Sequence, residues 1–295
     1  MEEIVLKISI FAFILKIAIV KLMKKNRQAQ HLDLEEVLKA KVSNRKIPKF
    51  IIRYLNKIVH VDEVNHIFKT YAGFKNLDFI ERLLDYFQIT YTVEGLENFP
   101  KDDNRCIFAS NHPLGGMDGI VLAYVLGKEC DGKLRLLTND VLLFIEQLCE
   151  LFIPVNKVGM QGKENAEKLN EFYESDDNLI TFPSGKCSRK TKGEIIDPEW
   201  KKNFIAKAVQ HKRDIIPIYF EGRNSNFFYN LASIRTKLGI KMNLEMLYLA
   251  DELFKQRNAH FTIKIGKSVP WQTFDKSKSL LQWAEQLKET VYKMK

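Results

Sequence analysis

Nine residues, Asn111-His112-Pro113-Leu114-Gly115-Gly116-Met117-Asp118-Gly119, carry the pair of side chains best suited to chemistry: an imidazole and, six positions on, a carboxylate. Imidazole titrates near pH ~6.5 and can act as a neutral base at cellular pH. A carboxylate bonded to its Nδ1–H fixes the tautomer and stabilises the imidazolium that forms. No Ser or Cys lies inside the stretch, and Ser110 only precedes it. That favours a base acting directly on a substrate hydroxyl over a covalent triad. Gly115 and Gly116 permit the tight turn that folds Asp118 back on His112, and the backbone N–H groups around them are the expected donors to an oxyanion. The same residues also read more plainly, as a glycine turn with an N-cap aspartate and a solvated histidine.

Elements on either side must hold this pair in place. The apolar run Arg105–Ser110 reads as a buried strand and Gly119–Leu126 as a helix, with Pro113 keeping His112 extended at the strand tip. Three other loops follow apolar runs. After Phe152–Val155 comes Lys157, with Gly159 and Gly162 leaving backbone N–H groups open to a phosphate or carboxylate. After Leu179–Phe182 comes Pro183-Ser184-Gly185-Lys186-Cys187-Ser188-Arg189-Lys190-Thr191-Lys192, the densest anion-binding stretch. After Ile215–Phe220 comes Glu221-Gly222-Arg223-Asn224-Ser225, where Ser225 reads as an N-cap and Arg223 as a further candidate to face the site. Each of these cations also reads as an ordinary solvated lysine or arginine. Cys187 has cations beside it that would favour a thiolate, but nothing in the sequence pairs it with His112.

Strands are further expected over Gln88–Val93, Lys133–Thr138 and Phe261–Ile265. Helices are expected over Val141–Glu150, Gly162–Tyr173, Pro198–His211, about Phe227–Leu238, Ala250–Phe254 and Leu280–Tyr292. Such alternation predicts an α/β fold with a mixed, largely parallel sheet of about seven strands flanked by helices, whose carboxyl ends carry the site. An N-terminal helical segment precedes it, with candidates at Leu32–Lys39, from Pro48, at Val61–Thr70 and at Asn76–Phe87, where Asn76 is the expected N-cap. The chain thus divides into residues 1–27, apolar and basic; 28–87, helical; and 88–295, the α/β domain.

The net charge is +9, from 46 Lys+Arg against 37 Asp+Glu. It suits an anionic partner such as a membrane surface or an acidic carrier protein. Nucleic acid is disfavoured, because basic residues are not interleaved with stacking aromatics and no helix-turn-helix or zinc signature appears. The four cysteines make no metal spacing, and the three that fall inside apolar runs read as reduced core residues. Residues 4–20 are mostly apolar but interrupted by Lys7 and Lys16, and they stand at the lower limit for spanning a bilayer, ~17 residues. Three readings stay open for them: an anchor in or across the membrane with its basic flank inside, a helix packed on the domain, or a segment without a role.

Taken together, the blocks resemble the glycerolipid (lysophospholipid) acyltransferase superfamily. Asn111-His112 with Asp118 is similar to its His–Asp block, and Phe152–Lys157 to its second, cation-ending block. Phe182–Arg189 is similar to its Phe-Pro-Glu-Gly block and Ile215–Ile218 to its Val-Pro-Val block. Two departures stand out: five residues rather than four separate His112 from Asp118, and Ser184 replaces the usual Glu. The resemblance implies a glycerol-3-phosphate acyltransferase-like fold with His112 and Asp118 catalytic. It further implies Asn111, Lys157, Ser184, Gly185, Lys186, Ser188, Arg189 and Arg223 as substrate-binding residues. No metal or bound cofactor is implied; acyl-ACP or acyl-CoA is the co-substrate. The block sequence is closest in kind to a hemolysin-like bacterial subgroup. Its members O-acylate the 3-hydroxyl of an N-(3-hydroxyacyl) glycine or ornithine lipid. On this reading the enzyme works at the cytoplasmic face of the inner membrane, peripheral or anchored by residues 4–20, with acyl carrier protein and a monoacylated lipid as partners. The alternatives are a 1-acylglycerol-3-phosphate acyltransferase and, in another class, a non-enzymatic membrane-binding or lytic protein.

Overall fold

Five runs become adjacent parallel strands, and the central ones among them are apolar enough to bury both of their faces. The computed structural model describes residues 32–33, 48–100, 105–138, 145–154, 167, 169–240 and 243–295. Helices α1 (Lys49–Val59), α2 (Val61–Thr70) and α3 (Asn76–Phe87) lead into strand β1 (Thr90–Glu94). Then follow β2 (Cys106–Ser110), α4 (Met117–Glu129), β3 (Leu134–Thr138), β4 (Phe152–Pro154), β5 (Asn178–Thr181), β6 (Arg189–Thr191) and β7 (Glu194–Ile196). The chain closes with α5 (Asn203–His211), β8 (Asp214–Phe220), α6 (Asn226–Lys237), α7 (Leu249–Phe254), β9 (His260–Ile265) and α8 (Leu280–Lys293).

The main sheet has seven strands in the order β1-β9-β8-β2-β5-β3-β4. Every neighbouring pair is parallel except β8 with β9. So β8, β2, β5, β3 and β4 all end on the same edge, and β2 lies between β8 and β5 near the middle. Its five residues are all buried. Cys106 and Phe108 face the layer of α3 and α4, while Ile107 and Ala109 face that of α5 and α8. Two apolar layers on one sheet require near-continuous hydrophobic strands, as the sequence of β2 and β8 supplies. α4 is buried on nearly all sides between α3 and β3.

Several expected boundaries shift. Gln88 ends α3 in a left-handed cap, so β1 begins at Thr90. α3 begins at Asn76, with Lys75 rather than Asn76 at the cap. The expected helix Val141–Glu150 is a short 3-10 turn over Glu146–Leu148 in its described part. The helix expected from Pro198 begins only at Asn203, because Asp197 and Trp200 turn inward towards the site. The antiparallel hairpin β6–β7 has no counterpart among the expected strands. Lys157, residues 1–27 and nearly all of the candidate helix Leu32–Lys39 lie outside the described residues. Among the described residues no helix is long and apolar enough to cross a membrane.

Candidate active site

β2 delivers His112 to the edge where β2, β5 and β8 all end. Asn111, buried just past the strand, donates from Nδ2 to the Phe220 carbonyl (2.9 Å) and accepts from the Phe220 N–H at Oδ1 (2.7 Å). The side chain thereby copies the peptide of a strand and extends the β2–β8 pairing by one step. From the same side, Asn224 donates to the carbonyls of Pro113 (3.4 Å) and Leu114 (3.2 Å). The turn that carries the imidazole is therefore fastened to the end of β8 at two places.

The expected pair meets. His112 Nδ1 lies 2.9 Å from Oδ2 of Asp118, whose side chain is fully buried in the first turn of α4. The carboxylate accepts from four backbone N–H groups besides: Leu114 (2.9 Å) and Gly115 (3.3 Å) at Oδ2, Gly116 (3.0 Å) and Gly119 (2.9 Å) at Oδ1. Gly115 makes the bend, with φ +78°, and a Cβ there would meet Leu249 at 3.0 Å and Cys187 at 3.1 Å. Five intervening residues close the turn as Asp118 gathers the N–H groups of the bend itself. Burial would push the Asp118 carboxyl up, but the imidazole and these N–H donors hold it below its usual 3.8. Burial would likewise depress His112; the Asp118 carboxylate, helped by Asp197, outweighs it and lifts the imidazole above 6.5.

A second carboxylate stands behind the histidine. Asp197 is buried and accepts at Oδ1 from the His112 N–H (3.2 Å) and the Ser188 hydroxyl (2.6 Å), and at Oδ2 from the Trp200 indole (2.9 Å). The Ser188 N–H donates to the His112 carbonyl (2.8 Å). His112 is thus tied at its N–H to Asp197, just past β7, and at its carbonyl to the loop after β5. That loop also sets the ring plane: Phe182 stacks on the imidazole with centroids 3.9 Å apart and 20° between planes. With Nδ1–H donating to Asp118, the basic lone pair sits on Nε2, and the half-buried ring is able to take a proton from a hydroxyl there.

A sequence model of the family described as "Acyltransferase" matches residues 36–295 of the chain. The protein belongs to this acyltransferase family. It is 48% identical over 265 residues to the lyso-glycine lipid O-acyltransferase of Bacteroides thetaiotaomicron, covering 89% of this chain and 97% of that one. It is 47% identical over 265 residues to the protein of the same name from Phocaeicola vulgatus, covering 89% and 95%. The crystal structure of the 1-acyl-sn-glycerophosphate acyltransferase PlsC from Thermotoga maritima matches with a TM-score of 0.44 at 18% identity, over 83% of this chain and 90% of that one. An acyltransferase replaces the alternative of a non-enzymatic lytic protein, and the His–Asp turn is its candidate catalytic centre.

The other residues read from the sequence divide into two groups. Gly115 and Gly116 do not present oxyanion donors, because both N–H groups point at Asp118. Asn111 is spent on Phe220, and Ser188 on Asp197. The Ser184 hydroxyl donates to the Lys186 carbonyl (2.6 Å) and so closes its own turn, where Gly185 takes φ +62°. Arg189 pairs with the buried Glu245 (2.9 Å) and lies over the Phe228 ring at 5.4 Å, so the acyltransferase uses it to fix α6 and the 244–248 turn to the third block. Each was expected at substrate, and each instead satisfies a buried group. Lys186 and Arg223 are exposed, each next in the chain to a residue that meets the His–Asp turn, Cys187 and Asn224, and Arg223 is bonded to Asn226 (2.6 Å). Burial raises the Cys187 thiol, which accepts from Arg189 (3.0 Å) and is no nucleophile. Sequence reasoning missed Asp197, Glu245 and Asn224. For Asp197 one signal existed, a lone carboxylate between Ile195-Ile196 and Pro198. Glu245 and Asn224 carried none.

Proposed function

We propose that this acyltransferase moves a fatty acyl chain from an acyl carrier protein or coenzyme A thioester to the 3-hydroxyl of a monoacylated amino-acid lipid, an N-(3-hydroxyacyl) glycine first among them. The observation that carries the reading is the His112–Asp118 pair, buried on the carboxylate side and held on three sides. It supports a base without a covalent nucleophile. His112 Nε2 takes the hydroxyl proton as the oxygen attacks the thioester carbonyl. The tetrahedral intermediate collapses, the C–S bond breaks, and the imidazolium returns its proton to the departing thiolate. Asp118 steadies the charge on the ring throughout. Lys186 and Arg223 stand at the edge of the site as cations for the acceptor carboxylate or the phosphate of the donor arm. The names of the two relatives, at 48% and 47% identity, support the choice of acceptor. So does Ser184, which stands where the resemblance has the Glu that helps hold a glycerol phosphate. We place the work at the cytoplasmic face of the inner membrane.

Purified protein offered lyso-glycine lipid, lyso-ornithine lipid and lysophosphatidic acid, each with an acyl thioester, tests the reading. The expected product is the diacyl amino-acid lipid. Acylation of lysophosphatidic acid alone would refute the acceptor. His112→Ala should lower kcat about 10²–10⁴-fold, and unaltered turnover would remove the base from the mechanism.

A further inference from the structure

Ten large apolar side chains are exposed among the described residues, and six of them gather on three neighbouring elements. Phe50 (71% exposed) and Tyr54 lie one turn apart on α1. Phe227, Ile234 (55%) and Leu238 (55%) follow one face of α6 through its C-cap, at spacings of seven and four. Met246 is on the 3-10 turn Leu244–Tyr248. Tyr248 joins the three: its hydroxyl lies 2.6 Å from that of Tyr54, and its ring meets Phe227 with centroids 4.9 Å apart.

The helices of this face are basic, and Asp251 of the adjoining α7 is paired with His60 and Lys255. Neither α1 (KFIIRYLNKIV) nor α6 (NFFYNLASIRTK) contains an Asp or Glu. Lys49, Arg53, Lys57 and Lys237 are exposed on them. The one carboxylate of the 244–248 turn, Glu245, is buried between Arg189 and Arg235. Protein interfaces are poor in lysine; an apolar stripe rimmed by lysine and arginine matches a lipid interface with anionic headgroups. Leu32 packs with Leu55, Ile58 and Val61 beside Tyr248, and Asn65 holds its backbone at N–H (2.6 Å) and carbonyl (3.0 Å).

We infer that the face formed by α1, α6 and the 244–248 turn seats the enzyme on an anionic lipid bilayer. The inner side of that face touches the catalytic turn. Phe228 and Tyr229 of α6 pack with Cys187 and Leu249, and Leu249 is the side chain that a Cβ at Gly115 would strike. A bilayer in contact with Ile234 and Leu238 brings its headgroups to the wall of the site. In its purpose, delivery of a lipid acceptor, the inference rests on the proposed function; the docking itself does not.

Flotation of the full chain with phosphatidylcholine vesicles, with and without phosphatidylglycerol, tests it. Binding is expected with the anionic vesicles and should weaken as salt rises. Ile234→Glu with Leu238→Glu should cut the bound-to-free ratio about tenfold or more, since each removed anchor is an exposed aliphatic side chain that the bilayer buries on binding. Arg53→Glu with Lys57→Glu should act on anionic vesicles only. Unchanged binding of the Ile234→Glu, Leu238→Glu chain overturns the inference, as does equal binding to neutral vesicles. Both substitutions fall on exposed positions, so the melting temperature without vesicles should hold. A fall would mean that residues 1–31 already cover the face. A smaller particle mass would mean that a second copy does. Either result overturns the inference. Flotation needs no turnover, so an acceptor assay that fails refutes the proposed function and leaves this result to be judged alone.

Discussion

Two carboxylates act on one imidazole, and they act differently. Asp118 bonds to the ring, whereas Asp197 bonds to the backbone N–H and carries its charge behind the residue. Arg189 is the cation that opposes them. The balance lifts His112 above 6.5, and only the neutral ring is a base, so kcat/KM should rise with pH through a limb lying above 6.5. Removing either carboxylate removes something that raises the ring. Asp197→Asn should therefore move the acid limb to lower pH and reduce kcat more than KM, because the substituted amide cannot accept from His112, Ser188 and Trp200 together. A pH profile superimposable on that of the unsubstituted enzyme would show that Asp197 serves the fold alone. For stability the signs differ by group. His112 is raised in the folded state, so its pairing stabilises fully below 6.5 and is lost as pH rises through the folded value; Asp118 is lowered, so its share is lost as pH falls below 3.8 towards the folded value. At this scale the meeting of His112 with Asp118 was legible, since two glycines between a strand tip and a helix start let the chain bend back on itself. Asp197 showed only as a carboxylate between Ile196 and Pro198, because a tie to a backbone N–H distant in sequence leaves no spacing to read.

Strands, not loops, set the reach of the site. β2 lies between β8 and β5, so the loops after these three are neighbours whatever their sequences. Their ends were readable from hydrophobic runs because a strand buried on both faces cannot be polar. The β6–β7 hairpin was hidden for the converse reason: Arg189-Lys190-Thr191 and Glu194-Ile195-Ile196 are short and mostly solvated, and they pair only with each other. Three residues expected to hold substrate, Asn111, Ser188 and Arg189, join elements, for the sequence marks a polar side chain beside a strand but not the partner it will find. Asn111 is the sharpest case. Asn111→Leu keeps the branched shape but strands the Phe220 N–H and carbonyl in the interior, at ~1–3 kcal/mol for each. Loss of this splice should lower the melting temperature on the order of 5–10 °C and lower turnover with it, as His112 is the next residue. A melting temperature within about 1 °C of the original would mean that the β2–β8 pairing does not need it.

At the scale of the whole molecule, the helical preface and the α/β layer share one interior. Phe79, Ile80, Leu83, Leu84 and Phe87 of α3 are buried in the same cluster as Val121 and Leu122 of α4 and Phe108, Ile216 and Ile263 of the sheet. The division into 28–87 and 88–295 follows a change of periodicity in the sequence, yet the packing crosses it. α3 covers α4, and α4 begins with the residue pair that places Asp118, so the preface supports the catalytic turn at one remove. Phe79 tests this. It is 1% exposed, and Phe79→Ala should cost about 3–5 kcal/mol through lost burial and the cavity left behind. If α3 and the sheet form one cooperative unit, calorimetry will show a single transition moved to lower temperature, with the His112-dependent activity lost in the same interval. A new early transition that spares the activity would separate the preface from the acyltransferase domain, and would make the boundary at residue 88 a structural one.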